Sequence, residues 1–234
     1  EIKKSVLELG GSNALVVFED CNMEEAVKTA VQARFQNTGQ SCIAGKRLLL
    51  HKNIAEEFTQ KFVEEVRKLK SGDPADEETF IGVMAREDLA EELHEQLTKS
   101  VKQGAVILVG GKRDGAYFEP TVVTDVTPSM PIFKEETFGP VIGITTFKNE
   151  DEAVYLVNSS NFGLGVSIFT EDFEKAKKLI PLFDDGAVFV NELVKSDPRL
   201  PFGGTKISGY GRELSEDGIK EFVNKKTVYF NSYS

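Results

Sequence analysis

The sequence predicts an α/β fold with a largely parallel sheet and helices on both faces, and two observations carry that prediction. Short apolar runs of strand length alternate along the chain with longer segments whose apolar residues recur at helical spacing. Glycine pairs, Gly10-Gly11 and Gly110-Gly111, supply turns next to strand runs. Such alternation is the mark of βαβ units, in which each helix packs back across the sheet. Composition agrees. Of the 234 residues 40% are hydrophobic and 28% charged, as in a globular domain and unlike a disordered or fibrous chain. The length suits one large domain or two small ones.

Taken in order, Ser5 to Leu9 and Ala14 to Phe18 read as strands flanking the first glycine pair. Met23 to Phe35 follows as a helix, with Val27, Ala30, Val31 and Arg34 at helical spacing. Asp20 lies just ahead of it, and Glu24 and Glu25 fall in its first turn, where carboxylates suit the positive end of the helix dipole. Lys46 to Leu50 is a strand, Ile54 to Lys70 an amphipathic helix and Arg86 to Gln103 another, followed by the strand Val106 to Val109. The alternation continues through strand Val141 to Phe147, helix Glu150 to Asn158, strand Val166 to Phe169, helix Phe173 to Leu182 and strand Ala187 to Val190. Leu214 to Phe222 is a helix and Thr227 to Phe230 a strand, ahead of a polar tail from Asn231 to Ser234. A terminal strand with a free edge invites pairing with another chain.

The net charge of −10 argues against nucleic acid, which is bound through clustered Lys and Arg. Apolar runs stop at strand length, as at Ala105 to Val109, so no membrane span is expected. Two cysteines, Cys21 and Cys42, in a chain of this size without a secretory signal read as free thiols in a cytoplasmic protein. Asn158-Ser159-Ser160 is then a chance sequon. His51 and His94 read as surface residues, and there is no Cys/His metal cluster and no Ser/His/Asp constellation.

The reactive candidate is Cys42. It ends the polar stretch Asn37-Thr38-Gly39-Gln40-Ser41-Cys42, with a glycine three residues ahead, in a turn that presents a side chain rather than packing it. Lys46 and Arg47 follow closely, and a positive field there lowers a thiol pKa. Against this stands the ordinary place of a free cysteine, a small buried hydrophobe. Context decides: Glu8-Leu9-Gly10-Gly11 and Asn37 to Cys42 resemble, in order and spacing, two signature blocks of the aldehyde dehydrogenase superfamily. Glu135 to Val141, Pro201 to Lys206 and Ser208 to Glu213 resemble further blocks of it, so the likeness spans essentially the whole chain.

The resemblance implies roles. Cys42 is the nucleophile that forms a thiohemiacetal and then a thioester, and Glu8 the base that activates water to release the acid. For that work Glu8 needs a pKa near working pH, hence a partly buried carboxylate. Glu213 matches a second glutamate that passes protons onward. The backbone N–H of Cys42 supplies one oxyanion donor, and the family's second donor, an asparagine, lies upstream of the Glu-Leu-Gly-Gly block. Glu136 and Phe138 match positions that hold the nicotinamide ribose and pack on the ring. Gly209-Tyr210-Gly211 lacks both the third glycine and the preceding strand of a dinucleotide cradle.

On this reading residues 1–226 are the catalytic domain with its C-terminal extension, and residues 227–234 an oligomerisation strand and tail. The N-terminal nucleotide-binding half is absent from the chain, which alone is expected to lack turnover. The cofactor is NAD or NADP, with NAD preferred, and the full-length protein is a homo-oligomer. The blocks most resemble bacterial succinate semialdehyde dehydrogenases. Candidate substrate residues are Gln36, Ser196, Arg199 and Phe202, with Arg199 offering a bidentate fork to a carboxylate tail. Some members carry arginine where this chain has Gln36, so a broad-specificity aliphatic aldehyde dehydrogenase stays open, as does a non-catalytic oligomerising module. A thiol hydrolase needs a histidine beside Cys42, and neither histidine lies in a suitable motif.

Overall fold

The computed structural model describes residues 1–232; the last part of the tail expected over Asn231 to Ser234 lies outside them. In chain order the first half contains β1 (Leu7–Glu8), β2 (Asn13–Val17), α1 (Met23–Phe35), β3 (Gly45–His51), α2 (Ala55–Arg67), α3 (Glu87–Lys102) and β4 (Val106–Val109). The middle adds β5 (Arg113–Asp114), β6 (Tyr117–Phe118), β7 (Thr121–Thr124), α4 (Pro131–Lys134), β8 (Val141–Phe147) and α5 (Glu150–Asn158). The remainder is β9 (Phe162–Gly163), β10 (Val166–Phe169), α6 (Phe173–Leu179), β11 (Val188–Val190), β12 (Thr205–Lys206), β13 (Gly209–Tyr210) and α7 (Ser215–Glu221).

Seven strands form the central sheet in the order β11-β10-β2-β3-β8-β7-β4. Every neighbouring pair is parallel except β4 with β7. Successive residues of a strand point to opposite faces, and here both faces are buried. Leu15 and Val17 of β2 join a core with α1 and α2, while Ala14 and Val16 join a second core on the other face. That second core takes Leu93 of α3, Leu156 of α5 and Leu179 of α6. The predicted fold class is therefore observed.

Several elements differ from expectation. The first strand shrinks to Leu7–Glu8 and leaves the main sheet, pairing antiparallel with Gly209–Tyr210. The helix predicted over Phe173 to Leu182 gives way after Leu179 to a 3-10 turn, Ile180–Leu182, because Pro181 has no N–H to continue the ladder. A whole interior strand, β7, was not read, since four residues between Pro120 and Asp125 carry too little periodicity. The strand expected over Thr227 to Phe230 has no ladder partner among the described residues. Val228, Tyr229 and Phe230 are exposed, and an extended segment becomes a strand only when a neighbour supplies hydrogen bonds. Among the described residues no helix is long and apolar enough to cross a membrane.

The two-faced core makes a direct prediction. Leu48→Ala, at a fully buried position of β3, should lower unfolding stability by about 2–5 kcal/mol in urea denaturation. Val106→Thr on the exposed part of the edge strand β4 should stay within about 0.5 kcal/mol of the parent. Equal effects would mean that β3 does not lie at the centre of the sheet.

Candidate active site

Three loops meet at the amino edge of the sheet: the one entering β2, the one entering β3 and the one entering β8. They are joined by a small knot of contacts. The Gly11 N–H donates to Glu136 Oε1 at 3.0 Å. The Lys46 ammonium donates to the carbonyls of Ser41 (3.0 Å) and Cys42 (2.9 Å) and to the same Glu136 oxygen (2.9 Å). A Cβ on Gly11 would stand 2.7 Å from the Cys42 carbonyl oxygen, and one on Gly10 would overlap the Glu136 carboxylate. Gly10 also has φ +102°, a conformation that other residues avoid. The glycine pair is thus required by close approach as well as by its turn.

The Cys42 turn is strained and braced. Asn37 (φ 53°), Thr38 (φ 56°) and Gly39 (φ 69°) follow one another in left-handed conformation, which is unusual for β-branched Thr38. Thr38 is held by its hydroxyl, which accepts from the Gly82 N–H at 3.1 Å. Asn37 Nδ2 donates to the Gln40 carbonyl at 2.8 Å, and Gln40 Oε1 accepts from the Ala85 N–H at 2.8 Å. Beyond the thiol, buried Asn13 donates to the Ile43 carbonyl at 3.0 Å and accepts from the Gly165 N–H at 3.1 Å. Backbone strain that the surroundings over-determine in this way is a feature of functional turns. Cys42 itself is half-buried, so the turn neither hides nor fully exposes it.

Burial dominates the electrostatics. Desolvation raises the Cys42 pKa; Lys46 opposes this, while Glu8 and Glu136 add to it. The cation expected beside the thiol is therefore present, but its effect does not outweigh burial, and the net depression expected from sequence is not found. Cys21 is pushed up further, to about 11, by burial and by Asp20. Glu8 is raised above the usual carboxylate range, first by burial and then by the charge of Glu213, with Arg212 opposing. Both its carboxylate oxygens are buried without a hydrogen-bond partner among the described residues. Burial lowers Lys46 to about 8 and Arg34 to about 9.

The other residues singled out fall in different places. Glu213 is exposed; its backbone exchanges two hydrogen bonds with Phe202, at 2.9 and 2.6 Å, and its charge reaches Glu8. Phe138 is 37% exposed and, with Glu136, Gln96 and Leu93, lines a cleft of about 410 Å³. Gln36 turns back on α1, where its side chain accepts from Gln32 at 3.2 Å. Ser196 and Arg199 lie on an exposed loop, and the Arg199 fork is occupied by Asp197, at 2.9 and 2.6 Å. That loop touches the site indirectly through Val194, which packs on Gly165 beside Asn13.

His94 is exposed as expected, but His51 is not a surface residue. It ends β3, where burial, a 3.0 Å contact from Nε2 to the Lys148 carbonyl and a 3.1 Å contact to Glu19 absorb it. Arg34, and the bridge from Lys46 to Glu136, are what sequence reasoning missed. Arg34 continues the apolar positions of α1 and is fully buried, with Nη2 donating to the Thr137 carbonyl at 2.9 Å. A charged residue in an apolar stripe was the available signal.

Comparison with known proteins adds independent information. A match to the family described as "Aldehyde dehydrogenase family" covers residues 1–228. The chain is 49% identical over 231 residues to succinate semialdehyde dehydrogenase [NAD(P)+] Sad of Escherichia coli (strain K12), covering 97% of this chain and 50% of that protein. It is 47% identical over 232 residues to a probable succinate-semialdehyde dehydrogenase [NADP(+)] of Synechocystis sp., covering 98% and 51%. Among solved structures, an NAD-dependent aldehyde dehydrogenase from Sinorhizobium meliloti superposes with a TM-score of 0.90 at 40% identity, covering 93% of this chain and 44% of that one. The chain spans about half the length of the curated relatives it matches.

The buried, unpartnered Glu8 carboxylate has a consequence for stability. Because its pKa in the fold is raised above the unfolded value of 4.5, its charged form is penalised by folding at pH above that value. Glu8→Gln should therefore raise the urea midpoint at pH 8, and the gain should fade as pH drops toward and below 4.5. A gain independent of pH would show that the carboxylate is not desolvated as described.

Proposed function

The chain belongs to the aldehyde dehydrogenase family, and from that premise we propose that it provides the thiol half of an NAD(P)-dependent oxidation of succinate semialdehyde to succinate. The observation that carries the reading is the pairing of a half-buried thiol on a braced, strained turn with a desolvated carboxylate close enough for their charges to interact.

The Cys42 thiol, whose pKa burial raises, gives its proton to the Glu8 carboxylate as its sulfur attacks the aldehyde carbon to form a thiohemiacetal, and the backbone N–H of Cys42 donates to the developing oxyanion. A bound nicotinamide would supply the hydride acceptor, and loss of hydride from that carbon leaves a thioester on Cys42. Glu8 then removes a proton from water, which attacks the thioester and releases the acid. Its burial suits this step, because a raised carboxylate pKa makes a stronger base. Glu213, whose charge is felt at Glu8, hands the proton on toward solvent from its exposed position.

The residues present fit the nicotinamide end of a cofactor. Gly11 and Lys46 both donate to Glu136 Oε1, Oε2 has no hydrogen bond among the described residues, and Phe138 lines the same cleft. Glu136 would hold the ribose and Phe138 pack on the ring, for NAD or NADP alike. Turnover is assigned to the whole protein.

Succinate semialdehyde rests on the relatives' names and on the match of Ser196 to a hydroxyl donor of that subgroup. A broad aliphatic specificity is the second reading, favoured by one observation: Arg199 already spends its fork on Asp197. In the full-length protein carrying this chain, Cys42→Ser should lower turnover by about a thousandfold or more. Glu8→Gln should accumulate a succinyl adduct on the Cys42 peptide, read by mass spectrometry after one turnover. Retained activity without Cys42, or an adduct on Cys21, would overturn the assignment.

A further inference from the structure

Lys46 is a buried ammonium with its three donors matched to three acceptors. Its side chain has no exposure, and the ammonium reaches the Ser41 carbonyl, the Cys42 carbonyl and Glu136 Oε1. It also lies 5.8 Å from the centroid of the Phe138 ring, within range of a cation–π attraction. Burying an ammonium is costly unless every donor is satisfied and an opposite charge is near. A lysine needed only to fill β3 could be an apolar residue. Here it joins two loops that come from distant parts of the chain, one carrying the thiol and the other carrying Glu136 and Phe138. The cost is offset only if both loops stay in place.

We infer that Lys46 is a positioning residue shared by the two sides of the reaction site: one ammonium sets the orientation of the Cys42 peptide and the place of the Glu136 carboxylate together. The inference deepens the reading above, since it rests on Cys42 as nucleophile and Glu136 as the ribose contact. Geometry gives it a direction. Lys46 and the Gly11 N–H both take Oε1, which leaves Oε2, packed beside Gly10, as the carboxylate oxygen without a hydrogen bond among the described residues. On the other side Lys46 is the cation that lowers the Cys42 pKa, whereas Glu136 raises it. Removing either partner should therefore affect the cofactor side alike and the thiol side in opposite directions.

The test uses Lys46→Met, Glu136→Gln and the double variant in the full-length protein. Two readouts are taken: the alkylation rate of Cys42 relative to Cys21 by mass spectrometry without cofactor, and the cofactor KM beside kcat. Lys46→Met should slow Cys42 alkylation by about tenfold, because the cation that favours the thiolate is lost. It should also raise the cofactor KM by about tenfold. Glu136→Gln should raise the KM similarly but not slow alkylation. If Lys46 acts on the cofactor through Glu136, the double variant raises the KM no further than Glu136→Gln alone.

An unchanged thiol rate or an unchanged KM in Lys46→Met overturns the inference, as does a KM loss in the double variant equal to the product of the single losses. Should the methionine variant not fold, Lys46→Gln is judged by the same two readouts. If Cys42 in the parent reacts no faster than Cys21 and Glu136→Gln leaves the KM unchanged, the underlying reading falls and takes the inference with it. A silent Lys46 variant beside a reactive Cys42 and a sensitive Glu136 sinks the inference alone.

Discussion

Everything at the amino edge of the sheet depends on two adjacent residues having no side chains. Gly10 lies against the Glu136 carboxylate and Gly11 against the Cys42 carbonyl, so a methyl group at Gly11 would press on the backbone of the thiol turn and one at Gly10 would displace the Glu136 carboxylate. Those loops are far apart in sequence, and they also touch where Gly39 lies against the Gly139 carbonyl. The Gly11 N–H completes the arrangement by donating to the same carboxylate oxygen that Lys46 holds. Close approach of backbone to backbone is what lets one lysine span both loops. The strand β1, just ahead of the pair, then sets Glu8 by its ladder to Gly209–Tyr210.

This explains which parts of the protein could be read from sequence. Elements whose pattern is local were legible: α1, β4, β8, α5 and β10 match their predicted spans because apolar spacing alone marks them. β7 was not, because its four residues become a strand only by lying between β8 and β4. Glu8 and Glu136 were visible only through the resemblance of the blocks that carry them, and Cys42 also through its polar, glycine-containing turn. Lys46 was visible only as a charge near a thiol, since its contact with Glu136 joins two separate loops. His51 misled for a related reason: Lys52 and Asn53 after it marked a strand end, although the three leucines before it belong to the strand that carries it into the sheet, beside Phe147.

The net effect of charge on the thiol was also beyond sequence. Two cations after Cys42 suggested a lowered pKa, but they serve different ends. Lys46 faces the turn, whereas Arg47 points away and donates to the carbonyls of Ser12, Leu156 and Val157. Alternation along β3 makes that division unavoidable, because neighbours in a strand face opposite sides of the sheet. One cation reaches the thiol, and burial of the thiol outweighs it.

The position of the site explains why buried cations gather there at all. In open α/β sheets ligands usually lie beyond the carboxyl ends of the strands, where helix amino ends bring partial positive charge. Here Cys42, Glu136 and the glycine pair precede their strands, so they lie at the amino edge, where connecting helices end. Helix carboxyl ends bring partial negative charge and unpaired carbonyls, both unfavourable to a thiolate and to a second carboxylate. The sequence compensates with side chains. Arg47 takes carbonyls in the last turn of α5, Lys206 takes those of Asn158 and Ser160, and Arg34, in the last turn of α1, takes that of Thr137. Lys46 does the same for the turn that carries Cys42. Seen this way, the buried lysine and arginines are one solution to one electrostatic problem, set by the edge of the sheet at which the chemistry is placed.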